Sequence, residues 1–196
     1  MRRFLEIAFV IAIGLGLGGA LAWASIQTRL GVGALSIGSW TAWPLVGSAK
    51  ADPYSRAKVA VGGEVPLGAA EGVEFHARQD DAGEPLRREC QYILSGSTPP
   101  ARLWTLSPYT LEGQPLERRP GSGATLAPLI SRSIVRSTDG RFVATVGPRA
   151  GANNWMRVSG SGPYQLVLRV YDTQLTATGA AVQPDMPAIA FGGCPS

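Results

Sequence analysis

Residues 4–24, FLEIAFVIAIGLGLGGALAWA, form an apolar run with a single charge, Glu6, close to one end. At 1.5 Å per residue, about 20 residues cross the roughly 30 Å hydrocarbon core of a bilayer, so the run is long enough to span as a helix. Arg2 and Arg3 precede it and only Arg29 follows closely, which by the positive-inside bias puts the amino terminus in the cytoplasm and the remainder in the periplasm. A cleaved signal peptide is the competing expectation, since Ala22-Trp23-Ala24 before Ser25 fits a small-x-small cleavage site. The run exceeds the core of an ordinary signal, and Trp23 sits where interfacial anchors place it, so a retained inner-membrane anchor is favoured. The expected organisation is an anchor over 1–25, a stalk over 26–51 and a periplasmic domain over 52–196.

The formal net charge of +4 does not imply a nucleic-acid partner. Half of it lies in residues 1–30, and the basic pairs Arg87-Arg88 and Arg118-Arg119 lack interleaved aromatic stacking residues. The expected partners are the membrane and an envelope glycan or protein. Gly 25 and Pro 15 make up about a fifth of the chain, the level of a folded, turn-rich domain rather than a disordered one.

Two cysteines are present, Cys90 and Cys194. In an oxidising compartment a bond between them closes a loop of roughly 100 residues, for which chain entropy gives up to about 4.7 kcal/mol. The alternative is a buried free Cys90 and an exposed free Cys194. No Cys-x-x-Cys is present, so the expected bond is a staple rather than a redox site.

The stalk holds SWTAWP, with Trp40 and Trp43, which is too aromatic for a free linker and is expected to pack on the domain. In DPYSRAKVAVGG, Asp52 can cap, Pro53 suits the first helical position and Gly62 supplies a left-handed stop, which predicts a short helix. Beyond Glu64 the period becomes two. Val73, Phe75 and Ala77 alternate with Glu74, His76 and Arg78, and CQYILSG, RLWTLSPYT, RSIV, FVATVG and PYQLVLRVY read as further strands, the last with Tyr164, Leu166, Leu168 and Val170 on its expected core face and Gln165, Val167, Arg169 and Tyr171 on the mixed opposite one. DDAG at 80–83 turns the chain, and Asp139-Gly140 is a strong hairpin signal between RSIV and FVATVG. Short strands with close turn signals and one short helix predict an all-β, jelly-roll-like β-sandwich behind an N-terminal transmembrane helix.

The catalytic inventory is thin. His76 is the single histidine, and alternation puts it on a polar face between Glu74 and Arg78, where a solvated strand histidine is expected. No zinc-ligand spacing occurs, so neither a metal nor another cofactor is expected. Asp80 and Asp81 beside Ala82-Gly83 read as turn formers rather than paired catalytic carboxylates. GLGLGG at 14–19 lies inside the apolar span and not after a strand, so it is no dinucleotide fingerprint.

ARLWTLSPYTLEGQPL (101–116), DGRFVATVGPRAGANNWMRV (139–158) and YQLVLRVYDT (164–173) together resemble the domain-of-unknown-function 1214 family. WTAWPLVGSAKADPYSRAKVA and GEVPLGAAEG look like its short, membrane-anchored proteobacterial form, so the likeness covers most of residues 39–194. The resemblance implies a jelly-roll-like β domain and lends no reaction. Three departures stand out: Tyr109-Thr110 in place of Tyr-Asp, RRPGSG in place of Asn-Pro-x-x-Arg-Tyr, and Asn154-Trp155-Met156-Arg157 in place of Asn-Trp-Leu-Pro. A ligand served by those positions would be bound differently here.

The candidate ligand-binding residues are Trp155, Arg169 and Tyr171, with Trp104 and Asn154 behind them, because aromatic faces beside a guanidinium suit sugars and carboxylated envelope components. A structural role for Trp104, Trp155 and Arg169 is the competing expectation. A binding or interaction module leads. An envelope-polymer hydrolase and a structural or assembly subunit without a small ligand are the alternatives.

Overall fold

The computed structural model describes residues 2–27, 34–62, 65–68, 70–118, 121–173, 175 and 184–194. Arg29, Glu64, Arg119, Ser196 and residues 28–33 of the expected stalk lie outside them. The apolar run is helical within α1 (Arg2–Gln27), and its candidate membrane span covers Arg2–Ala24, with a mean hydropathy of 2.2 over its most apolar 18 residues.

The stretch that reads as a stalk already contributes to the domain. β1 (Leu35–Ile37) and β2 (Trp40–Ala42) form a tight antiparallel hairpin in which Ile37 pairs with Trp40. Its two-residue turn needs a positive φ, which Gly38 supplies at 55°. Trp40 is buried, and its Nε1 donates to the Pro187 carbonyl at 2.7 Å. α2 (Pro53–Gly62) begins at the expected cap: Asp52 Oδ1 accepts the Tyr54 and Ser55 amides, each at 3.0 Å.

The remaining strands are β3 (Gly72–Ala77), β4 (Gln91–Gly96), β5 (Leu103–Tyr109), β6 (Leu129–Ile130), β7 (Phe142–Gly147), β8 (Asn154–Arg157), β9 (Gln165–Tyr171) and β10 (Ala188–Gly193). They make a mostly β domain of two sheets, in the orders β1-β2-β3-β9-β5-β6 and β10-β4-β7-β8. Every pairing is antiparallel except β7 with β8. The loop joining those two lies over β7: a Cβ placed on Gly151 would come within 2.1 Å of Thr145 Oγ1. Only glycine fits there.

Strand alternation delivers one apolar face of each sheet to a shared core. From the first sheet come Phe75, Trp104, Leu106, Leu166 and Leu168; from the second come Tyr92, Leu94, Ala144, Val146 and Ile189. Rings meet across the interface, Trp104 against Phe142 at 5.5 Å and Tyr92 against Tyr164 at 6.4 Å between centroids. Tyr164, Leu166, Leu168 and Val170 form the expected core face and are at most 1% exposed.

RSIV (132–135) is not a strand. The Ser133 and Ile134 amides bond back to the Ile130 carbonyl at 3.0 and 3.2 Å, which turns the chain immediately after β6. The Asp139-Gly140 turn does form, with Ser137 and Arg141 closing it and Gly140 at a φ of 80°. Cys90 and Cys194 are bonded, their Cα atoms 4.1 Å apart, just below the usual lower limit of about 4.4 Å. The bond ties the start of β4 to the end of β10.

Candidate functional site

The outer face of the six-stranded sheet carries a row of polar side chains that period-two alternation places there. On β3, Val73, Phe75 and Ala77 turn inward, so Glu74 and His76 turn outward. On β9 the outward set is Gln165, Val167, Arg169 and Tyr171. Antiparallel register sets Glu74 opposite Arg169 and His76 opposite Val167, and on the other side of β9 sets Arg169 opposite Thr105 and Gln165 opposite Tyr109.

A continuous chain of hydrogen bonds follows from this register. Arg169 Nη2 and Nε reach Glu74 Oε1 and Oε2 at 3.0 and 3.3 Å, a two-point contact, while Arg169 Nη1 donates to the Tyr109 hydroxyl at 2.5 Å. The guanidinium carbon stands 4.9 Å from the centroid of the Tyr109 ring. Glu74 Oε1 also lies 3.6 Å from His76 Nε2. On its other side, His76 Nδ1 is 3.2 Å from Gln165 Oε1. Gln165 Nε2 donates to the Thr110 carbonyl at 2.7 Å, which leaves its oxygen to accept from both His76 and Arg78. His76 Nδ1 therefore carries a proton.

This face is not simply wet. Gln165 and Val167 are at most 1% exposed, and the Arg169 and Glu74 side chains keep only 24% and 22% of their surface in solvent. His76, expected as a solvated strand residue, is 15% exposed, with the Trp43 ring edge-on at 6.0 Å. Burial alone works against the Arg169 charge. The Glu74 carboxylate and Tyr109 hydroxyl outweigh it and hold the guanidinium pKa above its ordinary value.

The structure distributes the other candidate residues elsewhere. Tyr171 shares the Arg169 face at the far end of β9. Trp155 does not join them: it lies on β8 in the other sheet, between inward-facing Asn154 and Met156, and so points away from the opposite side of the sandwich. Its Nε1 donates to the Gly147 carbonyl at 3.2 Å. Asn154 is buried and clamps the 135–143 turn, accepting the Val135 amide and donating to the Val135 and Val143 carbonyls. Trp104 is a core residue, 2% exposed, with the Arg136 guanidinium 5.7 Å from its ring centroid.

Alternation foretold the placement of Glu74 and His76. It could not pair them with Arg169, Tyr109 and Gln165, because register between strands about 90 residues apart leaves no local mark. Asp80 is the turn former expected, its Oδ1 accepting the Ala82 and Glu84 amides. Asp81 instead links the two sheets, bonding Ser39 Oγ of the β1–β2 turn and the Ile189 amide of β10. Among the described residues no three His, Cys, Asp or Glu side chains converge as metal ligands.

The family profile described as "Protein of unknown function (DUF1214)" matches residues 71–175, the stretch from the start of β3 past the end of β9. Among solved structures, the VPA0106 protein of Vibrio parahaemolyticus is similar at a TM-score of 0.54 and 15% identity, over 71% of this chain and 35% of its own. An uncharacterised protein from Burkholderia cenocepacia is similar at a TM-score of 0.42 and 16% identity, over 64% of this chain and 30% of its own. The chain thus spans about a third of the length of either. The likeness to the Vibrio protein is one of fold. No curated protein matches the chain.

Proposed function

Because the chain belongs to DUF1214, a family of unknown function, we propose its role from its own geometry: a membrane-anchored periplasmic module that binds a polar component of the cell envelope. The observation that carries this is the partly exposed row His76–Glu74–Arg169–Tyr109 on the outer sheet face, held from beneath by buried Gln165 and flanked by the Trp43 ring. Such a row offers fixed donors and acceptors beside aromatic faces, the combination that holds hydroxyl- and carboxylate-bearing sugars. Arg169 is a positioning residue in this reading. Its three donor positions serve Glu74 and Tyr109, which orients the Glu74 carboxylate and the Tyr109 ring toward a ligand.

The anchored, exported state rests on the apolar run of α1, on Arg2 and Arg3 at the start of that helix, and on the Cys90–Cys194 bond, which belongs to an oxidising compartment. An alkaline phosphatase fusion following the domain should be active, and purified protein should retain α1. Mature protein starting at Ser25 would show a secreted form instead.

Ligand binding is tested by titrating the detergent-solubilised full chain with soluble peptidoglycan fragments and uronic-acid oligosaccharides while following tryptophan emission. Saturable binding that His76→Ala and Tyr109→Phe weaken by about tenfold or more is the expected result. Absence of saturation with either class, or binding indifferent to both substitutions, would overturn the glycan reading.

A second reading has an observation of its own. Ile93, Val143 and Trp155 stand exposed on the outer face of the four-stranded sheet, a surface suited to a protein partner in an assembly.

A further inference from the structure

Four large apolar side chains stand exposed between β2 and β3: Leu45 at 50%, Tyr54 at 52%, Val61 at 67% and Val65 at 94%. Tyr54 and Val61 are two helical turns apart and so share one face of α2. The flanking loops fold together, since a Cβ on Gly47 would meet the Leu67 carbonyl oxygen at 1.9 Å, and Arg56 donates to the Ala49 carbonyl. Exposed Lys50 stands in the loop that leads into α2, whereas Arg56 lies about 200° around the helix from Tyr54, on its opposite side. The nearby Asp52 carboxylate is turned back onto the first amides of α2.

α2 also packs against α1. A helix of 26 residues is about 39 Å long, longer than a roughly 30 Å hydrocarbon core, so a turn or more of α1 projects into the headgroup layer. A helix carrying Arg56 is excluded from the hydrocarbon, so its contact with α1 has to lie where α1 leaves the bilayer. Only seven residues separate Gln27 from Leu35, a reach of about 25 Å at full extension. The domain cannot stand far from the membrane.

We propose that α2 and its flanking loops lie on the outer leaflet of the membrane that α1 crosses, with Tyr54 and Val61 entering the headgroup region and Lys50 meeting anionic lipid. The inference rests on the anchored reading of α1. It gives the domain a fixed posture on the bilayer rather than a free swing on a linker.

Since both native cysteines are bonded, an introduced cysteine can be labelled alone. The full chain bearing Val61→Cys, or as a control Val135→Cys, whose native side chain is 66% exposed, would carry an environment-sensitive fluorophore. Each is reconstituted into phosphatidylcholine vesicles with or without phosphatidylglycerol, together with headgroup-nitroxide lipid. The expected result is quenching several-fold stronger for the Val61→Cys label than for the control, reduced by K50E and by omission of phosphatidylglycerol. Equal quenching at the two sites, in protein that resists alkaline carbonate extraction, overturns the lipid docking and leaves the anchor intact. Release by carbonate overturns both. A blue shift without quenching that follows protein concentration assigns the surface to a second copy and overturns the proposal. Quenching that ignores phosphatidylglycerol and K50E overturns its electrostatic part.

Discussion

Arg169 and Glu74 face each other as a registered pair across β9 and β3, joined by two hydrogen bonds of 3.0 and 3.3 Å while each side chain keeps about a quarter of its surface in water. The pair is therefore neither a surface salt bridge nor a fully desolvated one, and its energetics should fall between the two.

Arg169→Ala leaves Glu74 half-buried without its two donors and frees the Tyr109 hydroxyl. A loss of about 1–3 kcal/mol is expected, above an exposed pair and below a fully buried one. Chemical denaturation of Arg169→Ala, Glu74→Gln and the double variant measures the coupling. Additive losses would mean that the contact contributes nothing of its own.

Both faces of β9 are closed at its start, so substitutions on either side should be costly. Leu168→Ala on the core face is expected to destabilise by about 2–5 kcal/mol. Val167, on the opposite face, is just as inaccessible, and Val167→Ala should also lower the thermal midpoint clearly. A neutral Val167→Ala would mean that the outer face is open in solution.

The period-two pattern of β9 identified the core face residue by residue, because alternation is a property of the chain itself. It predicted an opposite face of mixed character, and there the structure differs: Gln165 and Val167 are covered because Tyr109, Thr110, His76 and Trp43 come from three other segments. The cap at Asp52 and the turn at Asp139-Gly140 were equally legible, since each is closed by groups a few residues away. The separation of Trp155 from Arg169 was not, for it depends on which sheet each strand joins. β1, β2 and β6 escaped notice because strands of two or three residues are too short to display a period.

Removing the Cys90–Cys194 bond should cost about 2–4 kcal/mol, chiefly by enlarging the unfolded ensemble. Denaturation of the oxidised chain and of a Cys90→Ser/Cys194→Ser variant provides the comparison. Equal midpoints would show that the native contacts of β10 already fix it to β4.

Acid should weaken the junction between the 87–90 and 160–163 loops. Glu89 accepts from Arg87 Nε at 2.7 Å and from the Gly162 amide at 3.1 Å. Its own backbone amide, together with Arg87, holds the carboxyl pKa below its ordinary 4.5. A depressed carboxylate pKa contributes stability that is complete above the unfolded value and disappears as pH falls through the folded one. Glu89→Gln should therefore flatten the loss of stability measured by denaturant titration as pH falls below about 4.5. An unchanged acid slope would remove Glu89 from the account.

The staple also decides how the domain bears mechanical load. A pull transmitted through α1 reaches the sheet at β1, and the three-residue strands β1 and β2 can peel away a few hydrogen bonds at a time. Beyond Cys90 the covalent bond short-circuits the path to Cys194, a sequence separation of 104, so roughly 360 Å of contour length cannot be drawn out while the bond is intact. Stretched between its ends, the oxidised chain acts as a fuse that yields at its β1 edge, whereas reductant would let the whole domain pay out as thread.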